Sequence, residues 1–338
     1  MRLFRHPEDI PPELKGGVVA LGSFDGLHRG HQVVVGRAAQ KAHDLGAPLW
    51  VLTTEPHPRS FFRPNDPPFR LTSLRTKAHL LATFGVENML VLPFDARLAG
   101  VLAQDFVMDI LIGGPNGGLG VRHAVAGYDY RFGKARGGGV GVLGFMGEME
   151  GFGVTVVAPV TDDQNGPIVF SSSAIREALA RGDVRTATEA LGHWWIIDGH
   201  VLGGDKRGRT IGFPTANLDL GEYLKPAFGV YAVRVEVADG PQAGVYDAVA
   251  NIGCRPTFAK DNVTLEAHLF DFTGDLYDRI ISVEVVDFIR PERKFDGLEA
   301  LKAQIAADCD AARTILADPA LARDRYALPR FQPARKPA

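Results

Sequence analysis

Two histidines three positions apart, His28 and His31, stand in the stretch "VVALGSFDGLHRGHQ", directly behind a run of four apolar residues. A helix N-terminus presents unpaired N–H groups and a partial positive charge. Two imidazoles one turn apart add directed donors without the permanent charge of lysine. That combination suits a triphosphate whose charge grows at the α-phosphorus during nucleotidyl transfer. Gly22, Gly26 and Gly30 would let backbone approach a nucleotide where a side chain would obstruct it. Two other readings stay open. HxxH spacing puts both rings on one helical face, as a metal pair requires, but a catalytic zinc needs a third protein ligand, and His57 and His123 have no supporting spacing. Either histidine could also simply cap the helix. A P-loop is excluded because no GxxxxGK[ST] occurs. The GxGxxG match "GVGVLG", Gly139 to Gly144, follows a polar, glycine-rich stretch rather than a buried strand and is discounted.

A second group of chemically capable residues lies in "GHVLGGDKRGRTIGFPTANLDL". Its glycines, Gly204 and Gly212 among them, allow a loop to wrap phosphates, and Pro214 stiffens the turn. Thr215 and Asn217 supply two oxygen ligands of the kind Mg²⁺ accepts beside phosphate oxygens and water. In "TLEAHLFDF" alternation puts Leu265, Ala267 and Leu269 on one face and Glu266 with His268 on the other. A strand carboxylate so placed is ordinarily a solvated residue. In "FSSSAIREAL" Ser172, Ser173 and Arg176 at a helix start form another anion site, unless the serines only cap the helix.

The elements that must carry these residues fall into two series. From Gly16 to about Gly182 short apolar runs alternate with amphipathic stretches: "GVVALGSF", "APLWVLTTE", "ENMLVLPF" and "VRHAVAG" as strands, with "QVVVGRAAQKAHDLG", "SLRTKAHLLATFG" and "AQDFVMDILIG" as helices. The order predicts an α/β fold, a Rossmann-like parallel sheet with His28 beyond the carboxyl end of its central strand. After two short helices closed by glycine, strand-like segments follow one another: "HWWIIDGHVLGG", "GVYAVRVEVA", "YDAVANIG", "TLEAHLFDF" and "RIISVEVVDFI". They predict a mainly β unit, an antiparallel barrel, covered by the helix "DGLEALKAQIAADCDAARTIL" with an Asp296 and Glu299 capping box. The predicted domains are 1–183 and 184–316, with 317–338 a Pro-rich, basic, flexible tail.

Composition agrees with two soluble domains. The chain has 338 residues, 46% hydrophobic and 23% charged, too many for a single domain of typical size. No apolar run reaches the roughly 18 residues of a membrane span. The start, "MRLFRHPEDIPPELKGG", has acids and prolines where a secretory signal has an apolar core, so a cytoplasmic protein is expected. Cys254 and Cys309 form no CxxC pair and are read as incidental thiols. A net charge of -3 gives no footprint for nucleic acid, and small-molecule substrates are expected.

"GSFDGLHRGHQ" resembles the HxGH motif of the nucleotidylyltransferase superfamily, in the "GNFDGVHxGHQ" form of bacterial bifunctional riboflavin kinase/FMN adenylyltransferases, also called FAD synthetases. "EPHPRSFF", "RLTSLRTKAHLL", "GYDYRFGKARGG" and "FSSSAIREAL" follow in that family's order, and "GFPTAN" resembles its kinase motif. Ser23, Thr54, Gly139 and Asp278 depart from the family's usual residues. The resemblance implies phosphorylation of riboflavin to FMN in the barrel and adenylylation of FMN to FAD in the first domain. ATP is the co-substrate, FMN and FAD are intermediate and product, and Mg²⁺ is the metal. In the first domain it assigns ATP to Gly22, Ser23, Phe24, Asp25, Gly30, Asp129, Ser172 and Ser173, catalysis to His28, His31 and Arg176, and flavin to Glu55, His57, Pro58 and Tyr130. In the barrel it assigns ATP to Gly204, Gly212, Pro214, Thr215 and Asn217, the metal to Thr215 and Asn217, and the general base to Glu266. Arg290 and Phe295 fall on the flavin side, although a surface salt bridge is equally compatible with Arg290.

Overall fold

The computed structural model describes residues 1–113, 117–162, 168–203, 212–257 and 260–331. The chain folds as two units, each with its own core. One holds Met1–Asp66, Lys77–Phe170 and the residues from Leu328 on; the other holds Pro67–Thr76 and Ser171–Ala327. The division at Phe170 falls one helix before the expected boundary at 183.

In the first unit β1 (Arg2–Phe4), β2 (Val18–Leu21), β3 (Leu49–Glu55), β4 (Asn88–Pro93) and β5 (His123–Gly127) lie in one parallel sheet. A ribbon of β6 (Arg131–Phe132) and β7 (Gly138–Gly139) precedes β8 (Gly153–Val157), which completes the sheet order β1-β4-β3-β2-β5-β8. β9 (Thr161–Asp162) and β10 (Ile168–Val169) pair separately. All four residues of β2 are buried, as a central parallel strand covered on both faces requires. β2 lies between β3 and β5, so chain order reverses there and leaves a crevice beyond its carboxyl end.

The helices of this unit are α1 (Arg29–Leu45), α2 (Pro58–Phe62), α3 (Leu74–Phe84), α4 (Ala96–Gly100), α5 (Ala103–Asp105) and α6 (Val140–Glu150); the first residues of α3 belong to the second unit. α1 ends at Gly46, in the left-handed conformation at φ 58°. The helix expected over "AQDFVMDILIG" is one α-turn followed by a π-helical segment, Phe106–Gly113. Its buried residues are Phe106, Val107 and Leu111, a five-residue recurrence that fits the wider turn. The discounted "GVGVLG" opens α6, whose N-cap Gly139 carries no side-chain cap. The space a side chain would take at Gly139 is filled by the Arg131 guanidinium.

The second unit begins with α7 (Ser172–Ala180) and α8 (Val184–Leu191). Then come β11 (Trp195–His200), β12 (Ala216–Asp219), β13 (Gly229–Val237), β14 (Gly244–Thr257), β15 (Lys260–Leu269) and β16 (Ile280–Pro291). They form one antiparallel sheet, β11-β16-β13-β14-β15-β12. A bridge from Leu202 to Asn217, with the Leu202 N–H on the Asn217 carbonyl at 2.8 Å, joins the two end strands and closes the barrel. Every second residue fills the interior: Val233 and Val235 on β13, Ala250 and Ile252 on β14, Leu265 and Ala267 on β15, Val283 and Val285 on β16. The alternate face of β13, with Val230 and Ala232, packs against Cys309, Ala312 and Leu316 of α9 (Leu298–Leu316).

Two expectations are corrected here. The capping box does not form: α9 starts behind Gly297 at φ 115° with no side-chain cap, and Glu299 accepts from Lys302 Nζ at 3.1 Å instead. Residues 317–331 are not a loose tail. In the second unit Leu321 is buried, and Arg323 donates to Glu284 at 2.8 Å and to Glu236. Burial pushes the Glu284 carboxyl up, and that arginine opposes the shift. In the first unit the Phe331 N–H donates to the Phe84 carbonyl at 2.9 Å and the two rings are in contact.

Two candidate active sites

The first site is a strained loop ending in a helix. Phe24 and Leu27 hold φ of 50° and 40°, a left-handed conformation that costs an ordinary side chain about 1–2 kcal/mol. Both are fully buried, a gain of roughly 1.5–3 kcal/mol each that offsets the strain. Gly26 takes φ 85° between them, where glycine costs least. The Thr53 hydroxyl donates to the Ser23 carbonyl at 3.2 Å and Gln32 Nε2 to the Leu27 carbonyl at 2.8 Å, which pins both ends. Asp25 is buried at its tip. The glycines have a local reason that spacing alone does not show. A Cβ on Gly22 would meet the Phe24 ring at 3.0 Å, and one on Gly30 the His28 ring at 3.1 Å.

His28 is the N-cap of α1: its Nδ1 accepts the His31 N–H at 3.4 Å, which puts the ring proton on Nε2. The two imidazoles stack with centroids 3.7 Å apart and planes 22° apart, and Phe24 meets His31 edge-on at 5.3 Å. The cap and donor readings are therefore compatible, because capping uses one nitrogen and leaves the other a donor. Phe170, the residue before the serine run, lies against this helix start, with its ring under Arg29 at 5.9 Å. His123 is elsewhere. It opens β5 in register with Val18, at the amino edge of the sheet, and meets the Thr155 hydroxyl at 2.8 Å; burial, then Lys41, lowers its pKa. Among the described residues no three His, Cys, Asp or Glu side chains gather as a metal site.

The expected flavin residues follow β3 and β5. Glu55 accepts from Lys77 Nζ at 2.9 Å, with Lys77 fully buried, and the Glu55–Pro56 bond is cis. His57 caps α2 through Nδ1, accepting the Arg59 N–H at 3.1 Å, and Pro58 is the first helical residue. Tyr130 stacks on Phe132 at 5.6 Å, and burial pushes its hydroxyl pKa up. Asp129 beside it is exposed. Three rings that carry no motif lie close by: Phe61 and Phe62 of α2 and Phe94 after β4 meet edge-to-face at 5.2–5.7 Å, with Phe62 61% exposed. Adjacent phenylalanines in a polar, proline-rich stretch were the available signal.

The serine run belongs to the second unit. The N-cap of α7 is Ser171, accepting the Ala174 N–H at 3.2 Å, which puts Ser172 and Ser173 in the first turn. Arg176 Nε donates to the Phe69 carbonyl at 2.7 Å and its guanidinium stands over the Phe69 ring at 5.3 Å.

The second site is set by strand register. Glu266 on β15 pairs with Asn217 on β12 and with Asn251 on β14. The neighbours of all three point into the barrel, so Asn217, Glu266 and Asn251 form one row on its outer face. Asn217 is 7% exposed and its Nδ2 donates to the Thr215 carbonyl at 3.4 Å. The Pro214 carbonyl is 2.8 Å from His268 Nδ1, two residues beyond Glu266 on the same face. Gly212 takes φ 92° in open space, and Gly204 lies outside the described residues. Asn251 Nδ2 donates to Glu292 at 3.1 Å. Arg290 forms a bidentate, largely buried pair with Asp308 of α9 at 2.8 and 2.6 Å, and the Arg290 and Arg293 guanidinium groups stand over the Phe295 ring at 5.7 and 5.0 Å. Asp278 takes φ 61°, the left-handed region where glycine is at home.

A histidine-bearing helix start at a sheet crossover, joined in one chain to a closed barrel with a Pro-Thr-Ala-Asn turn beside a strand carboxylate, defines a two-unit transferase of nucleotidylyltransferase and flavokinase type. The FAD synthetase family matches residues 10–173 and the riboflavin kinase family residues 191–316. Proteins named bifunctional riboflavin kinase/FMN adenylyltransferase are 43% identical in Pseudomonas fluorescens, over 94% of this chain and 98% of the relative, and 41% in Escherichia coli, over 87% and 91%. A crystal structure described as a macrolide-efflux protein from Streptococcus pneumoniae superposes with a TM-score of 0.78 at 32% identity, over 92% of this chain and 98% of that one. The chain belongs to the bifunctional riboflavin kinase/FMN adenylyltransferase family. No helix among the described residues is long and apolar enough to cross a membrane.

Proposed function

We propose that this chain makes FAD from riboflavin in two ATP-dependent steps, with residues 184–316 phosphorylating riboflavin and residues 1–183 supplying the adenylylation site. The observation that carries the first assignment is the row Asn217, Glu266, Asn251, which sets a carboxylate beside the Thr215–Asn217 turn. Glu266 takes the proton of the ribityl 5′-hydroxyl as its oxygen bonds to the γ-phosphorus of ATP, and the bond to the bridging oxygen breaks to release ADP. The donor set, a threonine hydroxyl, an asparagine amide oxygen and a nearby carboxylate, is all hard oxygen and fits Mg²⁺. Thr215 and Asn217 would hold the ion, whose contribution is to neutralise charge on the phosphates.

In the second step a phosphate oxygen of FMN attacks the α-phosphorus of a second ATP and pyrophosphate leaves. His28 and His31 at the α1 start act as donors to the charge that develops, and no base is needed because the FMN phosphate is already ionised. Ser172, Ser173 and Arg176 serve the ATP phosphates. The exposed rings of Phe61 and Phe62, beside His57 and Pro58, suit a planar tricyclic flavin.

The test is to incubate the full chain with riboflavin, ATP and Mg²⁺ and separate the flavins by chromatography. Glu266→Ala abolishes riboflavin to FMN and spares FMN to FAD; His28→Ala with His31→Ala does the reverse. Losing one transition-state donor costs about 10²–10³ in rate, well within measurement. Equal loss of both steps in either variant would sink the two-site assignment.

A further inference from the structure

Residues Pro67–Thr76 come from the amino-terminal half of the chain yet pack within the second unit, as a strap stitched to the barrel. The Arg70 N–H donates to the Glu222 carbonyl at 3.1 Å, and the Arg70 carbonyl accepts the Leu224 N–H at 2.8 Å. The Leu71 side chain is fully buried in the barrel's interior cluster, and its carbonyl accepts Trp195 Nε1 at 3.0 Å. One carboxylate anchors the end of the strap. Asp198 Oδ1, on β11, accepts from the hydroxyls of Ser73 at 2.7 Å, of Thr76 and of Tyr223. Arg75 Nε stands 3.9 Å from Oδ2, and the Asp198 side chain is 8% exposed. Burial, then the Asp198 charge, pushes the Tyr223 hydroxyl pKa up to about 12, so it stays a donor at neutral pH.

None of these groups belongs to the Asn217, Glu266, Asn251 row. The other end of the strap does meet chemistry. Phe69 carries the carbonyl and the ring that hold Arg176. A long arginine loses about 2 kcal/mol of rotamer freedom when ordered, and a guanidinium fixed along its Nε edge and across its face is ordered before substrate arrives.

We propose that Asp198 is a positioning residue for adenylyl transfer: by gathering the hydroxyls of Ser73, Thr76 and Tyr223 it fixes the strap whose Phe69 carbonyl and ring aim the Arg176 guanidinium at the ATP phosphates. The inference rests on the reading of Arg176 as a phosphate-binding residue. It places a determinant of the adenylylation step on a strand of the kinase barrel.

The test uses the full chain and measures both activities. Asp198→Asn keeps the shape and removes the charged acceptor. FMN adenylylation falls about tenfold, in kcat rather than in KM for FMN, as expected when transition-state alignment is lost, and riboflavin phosphorylation stays within about twofold. Arg176→Ala lowers adenylylation by about 10², and adding Asp198→Asn to it costs nothing further, since two residues acting through one contact are not additive. Thr76→Val, isosteric and on the strap, gives the same selective loss at about threefold and serves if the Asp198 variant fails to fold. Additive losses in the double variant, or a parallel fall of both activities, overturn the inference and leave the role of Arg176 standing. Full adenylylation in Arg176→Ala overturns the parent reading and the inference with it.

Discussion

The two sites hold their reactive groups by opposite means. In the first unit His28 and His31 are placed by a loop whose Phe24 and Leu27 are forced into left-handed backbone and held there by burial. In the barrel Glu266 is placed by register alone: strands β12 and β14 bring Asn217 and Asn251 to either side of it with ordinary extended backbone. A strained loop can set two rings 3.7 Å apart at a helix start, a geometry no regular element offers. A strand row has less freedom but needs no stored strain. The loop is thus the more fragile device under backbone substitution, and the row the more fragile under side-chain exchange.

The largest effect that separates the two is His28→Asn. Asparagine is a good N-cap, so the helix start and the unfolding midpoint are kept, while the ring donor is lost. Adenylylation falls about 10²-fold, read as FAD formed from FMN, with kinase activity intact. Full adenylylation in this variant would make His28 a cap and nothing more. Gly26→Ala attacks the backbone instead. At φ 85° an alanine costs about 1 kcal/mol or more, so thermal unfolding of the first unit falls by a few degrees and adenylylation falls several-fold, again without change in the kinase. Asp278→Gly is the smallest change. Its left-handed φ is relaxed by glycine at the expense of unfolded-state entropy, and the net shift in stability stays within about 0.5 kcal/mol. A kinase loss here would mean that the Asp278 side chain, and not its backbone, matters to the barrel.

What could be read in advance follows the same division. The buried run of β2, the helix behind it and the alternation that turns Glu266 away from Leu265 and Ala267 are local patterns, and each is in the structure as its residues imply. β12 is not legible: "ANLD" is four residues without a β-branched side chain, and it is a strand because Glu266 and Leu265 of the neighbouring β15 pair with it. The π-helical segment hid because its apolar spacing, Phe106 to Leu111, is read as helical at any nearby period. The order of residues 317–331 depends on Glu236, Glu284 and Phe84, all distant in sequence. The phenylalanine cluster at Phe61, Phe62 and Phe94 likewise needs the sheet to bring its members together.

The strap has a consequence in time as well as in space. Ser73 and Asp198 are separated by 125 positions, so at about 5–20 residues per second of synthesis the strap waits roughly ten seconds for the strand that receives it. Through that interval Leu71, fully buried in the finished protein, has no core to enter, and closing so long a loop slows the search for one. The nascent chain thus carries an apolar segment whose burial is deferred until β11 and the turn at Tyr223 have been made, and the second unit, although most of it is later in sequence, needs Pro67–Thr76 beside Ser171–Ala327 to complete its core.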